Sequence, residues 1–215
     1  MIIVTGSGRS GTSFVTKALS IAGAQFPDST PYDDTVRAGL ENTDIVNLNK
    51  TIYSMNGAYD YYGVSWIRPD QEDTTAQILG SALRLSSDRY DGIFVKDPLF
   101  SKTIGVWAKA NVNIEHVIIC MRNVYDTVQS AMNTKRGFES SIEHSQEAIY
   151  REIYARIGYL MQFVHYHDIP YTVVHYERLS KELMSLSDTL SLNSNELMEF
   201  LTTNYQPKFY EQQNG

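Results

Sequence analysis

Several things are scarce in this sequence, and each scarcity narrows what the protein can be. There is one cysteine, Cys120, set in the apolar run Val117-Ile118-Ile119-Cys120-Met121. A lone thiol forms no internal disulfide, and a reactive one needs an activating neighbour. None is in view, so Cys120 is expected to be a core residue. No apolar stretch approaches the roughly 20 residues that span a bilayer. A basic segment followed by a hydrophobic stretch, the mark of a signal peptide, is also missing. Residues 2–5 read instead as a strand that begins almost at the initiator methionine. A cytoplasmic protein is therefore expected, with no room for an anchor and no membrane partner. Basic residues are outnumbered, 18 against 25 acidic ones, for a net charge of −7. That balance argues against a general affinity for nucleic acids or sulfated polyanions. No cluster of His, Cys or carboxylate residues has metal-ligand spacing, and neither repeats nor low-complexity linkers interrupt the chain.

What remains is an ordinary globular composition. The 215 residues are 42% apolar and 20% charged, enough for one domain, 1–215, with a full core. Short β-prone runs occur at 1–5, 92–95, 115–121 and 171–175. Helical patterns lie at 12–22, 43–56, 74–87, 101–111, 124–134, 142–167 and 195–203. The longest of these places Ile149, Ile153, Ile157 and Leu160 on one face, at spacings of four and three. Strands alternating with helices predict an α/β fold, a doubly wound parallel sheet flanked by helices. Ligands of such sheets bind at the carboxyl ends of the strands. The segment 25–41 differs: it is polar, with Pro27 and Pro31 and with Asp28, Asp33 and Asp34. It reads as a long surface loop that could close over a bound ligand.

Three motifs fall at predicted strand ends. The first is Thr5-Gly6-Ser7-Gly8-Arg9-Ser10-Gly11-Thr12-Ser13, between the first strand and the first helix. Its glycines let successive backbone N–H groups turn inward on an anion, and the helix N-terminus adds its partial positive charge. Ser7, Gly8, Arg9, Ser10, Gly11, Thr12 and Ser13 are thus candidate phosphate-binding residues. A nucleotide kinase would carry Lys where Thr12 stands. Here the cation is Arg9, inside the loop, where a guanidinium can grip a phosphate group bidentately. The second motif is Val95-Lys96-Asp97-Pro98. The third is Arg122-Asn123-Val124-Tyr125-Asp126-Thr127-Val128-Gln129-Ser130, in which the helix would carry Ser130 along the same wall as Arg122. Those two side chains could then hold a single phosphate.

In this order the motifs resemble those of sulfotransferases that use 3′-phosphoadenosine-5′-phosphosulfate (PAPS), above all the bacterial and tyrosylprotein members of that P-loop family. There the loop commonly reads R-S-G-T-[ST], the strand end K-D-P, and the 3′-phosphate motif R-x-x-x-D-x-x-x-S. Leu40-Glu41-Asn42-Thr43-Asp44-Ile45 with Leu48-Asn49, and Val174-His175-Tyr176-Glu177-Arg178-Leu179, resemble two further stretches of a bacterial subgroup. The likeness runs from residue 3 to about 180. Beyond it, the C-terminal basic residues that some members use cannot be identified, Lys208 being only a candidate. The resemblance implies a PAPS donor, adenosine 3′,5′-bisphosphate as product, a hydroxyl acceptor and no metal. It implies that Arg122 and Ser130 hold the 3′-phosphate and that Lys96 faces the transferred sulfuryl group, with Arg9 stabilising charge beside it. Glu41 aligns with a glutamate of the family stretch and is the candidate general base, with Asp44 and Asp34 as alternatives. None of the five histidines, His116, His144, His165, His167 and His175, matches the base that cytosolic members use.

Two rival readings differ in testable ways. A P-loop kinase would bind ATP with magnesium, and the chain lacks both its lysine and an acidic strand end. A non-catalytic nucleotide-binding module would keep the fold without turnover. Fifteen tyrosines, among them Tyr59, Tyr61 and Tyr62, could offer a stacking surface. The acidic chain favours a neutral glycan or small alcohol as acceptor.

Overall fold

A computed structural model describes residues 1–27, 39–56, 59–61, 64–67, 69–134 and 145–205. Four parallel strands form the central sheet: β1 (Ile2–Gly6), β4 (Phe94–Lys96), β5 (His116–Met121) and β6 (Tyr171–His175). Their order is β4-β1-β5-β6. Eight helices flank them among the described residues: α1 (Thr12–Ile21), α2 (Thr43–Met55), α3 (Pro69–Arg89), α4 (Phe100–Lys109), α5 (Val124–Thr134), α6 (Gln146–Tyr166), α7 (Leu179–Thr189) and α8 (Ser194–Asn204). A separate antiparallel pair, β2 (Tyr59–Tyr61) and β3 (Val64–Trp66), joins α2 to α3. None of these helices is long and apolar enough to cross a membrane.

The strands are apolar because both faces of the sheet are covered, and alternate residues feed two cores. Ile3, Val95, Val117 and Ile119 pack on one side with Ile45, Leu83, Ile104, Trp107 and Leu160. Val4, Phe94, Ile118, Cys120 and Val174 pack on the other with Phe14, Leu19, Leu183 and Leu201. Cys120 is fully buried, and burial pushes its thiol pKa up to about 12. The expected structural role is what it has.

The chain leaves β1 toward β4 on one side, then returns past it to β5 on the other. The sense of winding therefore changes around β1, and the loop that follows β1 sits where such sheets open a crevice. The parallel register sets Val4 beside Lys96 and Gly6 beside Cys120. The ends of β1, β4 and β5 thus open on one edge, and the three motifs begin there.

The expected elements are present with small shifts, and four pieces of structure were not anticipated. The helix α3 starts at Pro69, well before residue 74, as a proline suited to a first helical turn allows. The β2–β3 pair, the short 3-10 turn at Tyr176–Arg178 and α7 were not expected. The expected stripe on α6 serves two clusters: Ile149 and Ile153 pack against Val128 and Ala131 of α5, whereas Ile157 and Leu160 join the larger core. Most of the 25–41 loop, including Asp28, Pro31, Asp33 and the alternative base Asp34, lies outside the described residues, as do Tyr62, His144 and Lys208.

Candidate active site

The loop after β1 is a tight turn packed under its neighbours. Ser10 donates to the Ser7 carbonyl through both its backbone N–H, at 3.3 Å, and its hydroxyl, at 2.6 Å. Gly6 has no room for a side chain: a Cβ there would lie 2.3 Å from the Cys120 carbonyl oxygen of β5. Gly11 caps α1 at φ 90°, and a Cβ on it would strike the Tyr176 ring at 2.6 Å. With glycine at the cap, no side chain closes the first turn of the helix. Thr12 and Ser13 are the first residues of α1 and are buried, so the helix start carries the uncapped N–H groups and partial positive charge that favour an anion.

Lys96, the last residue of β4, is only 1% exposed and reaches this helix start. Its ammonium donates to Ser13 Oγ at 2.9 Å and to the Gly39 carbonyl at 3.0 Å, and it forms an ion pair with Glu41 Oε1. Three donors meet three acceptors, so the buried ammonium has a partner for each of its hydrogens. Glu41, with 31% of its side chain exposed, is the more open partner. It precedes α2, whose N-cap Asn42 accepts from the Ile45 N–H at 3.0 Å and from Tyr90 Oη at 3.3 Å. The alternative base Asp44 lies on the first turn of α2 and pairs with Arg89 at 3.2 Å, both largely exposed. The fold thus brings Glu41 to Lys96 and gives Asp44 a different partner.

Behind Lys96 stands a polar network that went unassigned in the sequence. Asp97 is almost wholly buried, and burial raises its carboxyl pKa above the usual value. Its Oδ1 accepts from the Leu99 N–H at 3.0 Å, its Oδ2 from Asn49 Nδ2 at 2.9 Å, and its carbonyl from Thr5 Oγ1 at 3.0 Å. Asn49, fully buried on α2, returns its own carbonyl to Thr103 Oγ1 at 2.7 Å and Trp107 Nε1 at 2.8 Å. One amide therefore joins α2, the end of β4 and α4.

The third motif makes contacts that its sequence did not indicate. Ser130 Oγ accepts from Arg9 Nε at 3.1 Å, so the hydroxyl expected beside Arg122 is engaged by the loop arginine. Arg122 instead lies over the Tyr176 ring, 5.2 Å from its centroid, and its buried Nε has no hydrogen-bond partner. Tyr176, part of the quoted Val174–Leu179 stretch but given no role there, thereby touches both halves of the site. Its carbonyl accepts from Tyr205 Oη at 2.5 Å, and the neighbouring Glu177 accepts from the Asn123 N–H at 2.6 Å. These contacts tie the turn after β6 to the turn after β5.

Beside Pro98, the first turn of α4 holds a buried ionic cluster. Ser101 Oγ donates to the Pro98 carbonyl at 2.6 Å. Lys102 and Arg156 both pair with Glu152 Oε1, the latter at 2.7 Å, and all three side chains are at most 2% exposed. The Lys102 ammonium also lies 5.2 Å from the Tyr53 ring centroid. The four described histidines are engaged elsewhere. His116 contacts Thr172 Oγ1 at 2.9 Å at the opposite edge of the sheet, and burial lowers its pKa. His175 contacts Glu182 at 3.1 Å, while His165 and His167 pack against Tyr171 and Phe163.

No protein-family model matches this chain, and no curated protein sequence matches it significantly.

Proposed function

We propose that the protein is a PAPS-dependent sulfotransferase acting on a hydroxyl acceptor, with a neutral glycan or small alcohol the favoured class. The observation that carries this reading is the junction of Lys96, Ser13 and Glu41. A buried cation, the start of the phosphate-loop helix and a half-open carboxylate meet at the carboxyl edge of the sheet. The residues present suit the donor in two respects. Gly11 leaves the helix start uncapped by any side chain, and the buried Arg122 Nε lacks an acceptor that a phosphate oxygen would supply.

In this reading the donor supplies the sulfuryl group, its bridging S–O bond to the 5′-phosphate breaking as the acceptor O–S bond forms. Glu41 takes the acceptor's hydroxyl proton. Lys96 turns its ammonium from Glu41 toward the oxygens on which charge builds, and the first N–H groups of α1 hold the 5′ end. Asn49 and Asp97 keep the end of β4 in place beneath Lys96. Arg122 and Ser130 select a nucleotide that bears a 3′-phosphate.

The test is turnover. Incubation with PAPS and a panel of glycans, phenols and alcohols, without magnesium, is expected to release adenosine 3′,5′-bisphosphate in an acceptor-dependent way. Magnesium-dependent phosphoryl transfer from ATP in parallel reactions, with PAPS inert, would replace this reading with that of a kinase.

A further inference from the structure

Arg9 belongs to the phosphate loop, which would aim it at the 5′ end of a nucleotide, yet its side chain goes the other way. Its backbone is left-handed, with φ 66°, a conformation that costs a non-glycine residue energy and redirects its side chain relative to a regular turn. The guanidinium is thereby brought to α5, where Nε donates to Ser130 Oγ at 3.1 Å. Ser130 is the hydroxyl half of the 3′-phosphate motif. The other half, Arg122, is linked to the same loop through Tyr176. Its guanidinium lies over Tyr176, whose ring packs on Gly11, two residues beyond Arg9. Arg122 also presents a buried Nε with no hydrogen-bond partner.

We infer that Arg9 reads the donor's 3′-phosphate together with Ser130 and Arg122, and is not a cation of the sulfuryl-transfer step. The inference rests on the sulfotransferase reading and changes one assignment within it. A phosphate monoester carries close to two negative charges at neutral pH, so it gains from two guanidinium groups around one hydroxyl. The loop arginine supplies the second guanidinium from within the described fold, independently of Lys208. Stabilisation of the transferred group then falls to Lys96 and the start of α1.

Calorimetric titration without magnesium separates the possibilities, using adenosine 3′,5′-bisphosphate and AMP as probes. The proteins are the wild type, Arg9→Gln and Arg9→Gly. Both variants lose the guanidinium, and glycine also relieves the left-handed strain, so a folding defect confined to the glutamine variant is recognised. Losing a charge-assisted phosphate contact is expected to weaken the bisphosphate by about 10- to 100-fold in both variants, with AMP changed less than about 3-fold. Discrimination between the two nucleotides then shrinks, as it also does in Ser130→Ala. Equal weakening of both nucleotides places Arg9 on the 5′ side and overturns the inference. So does discrimination that survives intact in both variants. A wild-type protein that binds the bisphosphate no tighter than AMP refutes the sulfotransferase reading itself, a result distinct from either of these.

Discussion

The pairing of Lys96 with Glu41 makes Glu41→Gln the most informative substitution. Glutamine keeps the size and one carbonyl acceptor but removes both the negative charge and the basicity. Lys96 then retains Ser13 Oγ and the Gly39 carbonyl, at 2.9 and 3.0 Å. Two opposite unit charges at contact attract by about 5 kcal/mol at an effective dielectric near 20. Most of that offsets the desolvation of an ammonium that is only 1% exposed. The net loss in stability is thus about 1.5–3 kcal/mol, the range for a hydrogen bond to a charged group. In a chain of this size that is a fall in Tm of roughly 3–12 °C. Turnover should fall by about 10²- to 10⁴-fold, the usual contribution of a general base. Affinity for adenosine 3′,5′-bisphosphate should stay level or rise, because the ammonium is less tightly held. Product release measured with PAPS and an active acceptor, beside a melting curve and a nucleotide titration, gives all three quantities. Turnover within about 3-fold of wild type, where a lost base would cost at least about 10²-fold, would show that the Lys96–Glu41 pair is scaffold and that the base lies elsewhere.

Three other substitutions test the surroundings. Asn49→Leu takes the partner from Asp97 Oδ2 and from the Trp107 N–H, while Thr103 keeps the Leu99 carbonyl. At about 1–3 kcal/mol for each buried group left without a partner, it should lower stability by several kcal/mol in urea unfolding and reduce turnover along with it. Glu152→Gln leaves Lys102 and Arg156 without their shared carboxylate and should cost about 3–5 kcal/mol, as breaking a buried ion pair does. Glu72→Gln should stabilise the protein in a pH-dependent way. Burial raises the Glu72 pKa above 4.5 against the opposing hydrogen bond from Tyr159, so the folded state binds that proton more tightly than the unfolded chain does. Stability is therefore lost as pH rises from about 4.5 through the folded value. Wild type and variant should differ least below pH 4.5 and most near pH 8, measured by denaturant midpoints; a constant difference across pH would refute the assignment.

The sheet was legible because its strands are short runs rich in Val, Ile or aromatic residues, with β1, β4 and β5 buried almost throughout and β6 half-buried. The helices α1, α2, α4, α5, α6 and α8 lie close to their expected spans, and α6 shows the apolar spacing read in the sequence. The elements that escaped did so for identifiable reasons. In α7 the signal was present, since Leu179, Leu183 and Leu186 recur at spacings of four and three and are all buried. Four serine and threonine residues in the same segment, with lower helix propensity than alanine or leucine, weaken that signal. The strands β2 and β3 have three residues each, too few for alternation to declare itself. The expected helix 74–87 begins five residues earlier, at Pro69, a residue that suits the first position of a helix.

The sequence named candidate residues for the site but not the contacts among them. Arg9 and Ser130 are 121 positions apart, and Lys96 and Glu41 are 55 apart; only strand order and register decide that such residues meet. Nothing in the local sequence foretold a left-handed Arg9, since arginine has no preference for that conformation. The Leu48-Asn49 and Lys96-Asp97-Pro98 stretches looked like two separate motifs, and the fold shows one hydrogen bond uniting them. Asn49 on α2 holds Asp97 beside the catalytic candidate Lys96, while the same helix begins just after Glu41. A polar residue at a fully buried helix position is costly unless every group it carries is satisfied. Asn49 meets that condition only where α2, β4 and α4 converge. Any displacement of α2 that moved Glu41 away from Lys96 would therefore also strain the Asn49 bonds to Asp97, Thr103 and Trp107. The spacing of cation and carboxylate is thus set by a buried amide eight residues along the chain from Glu41, and not by the attraction of the pair alone.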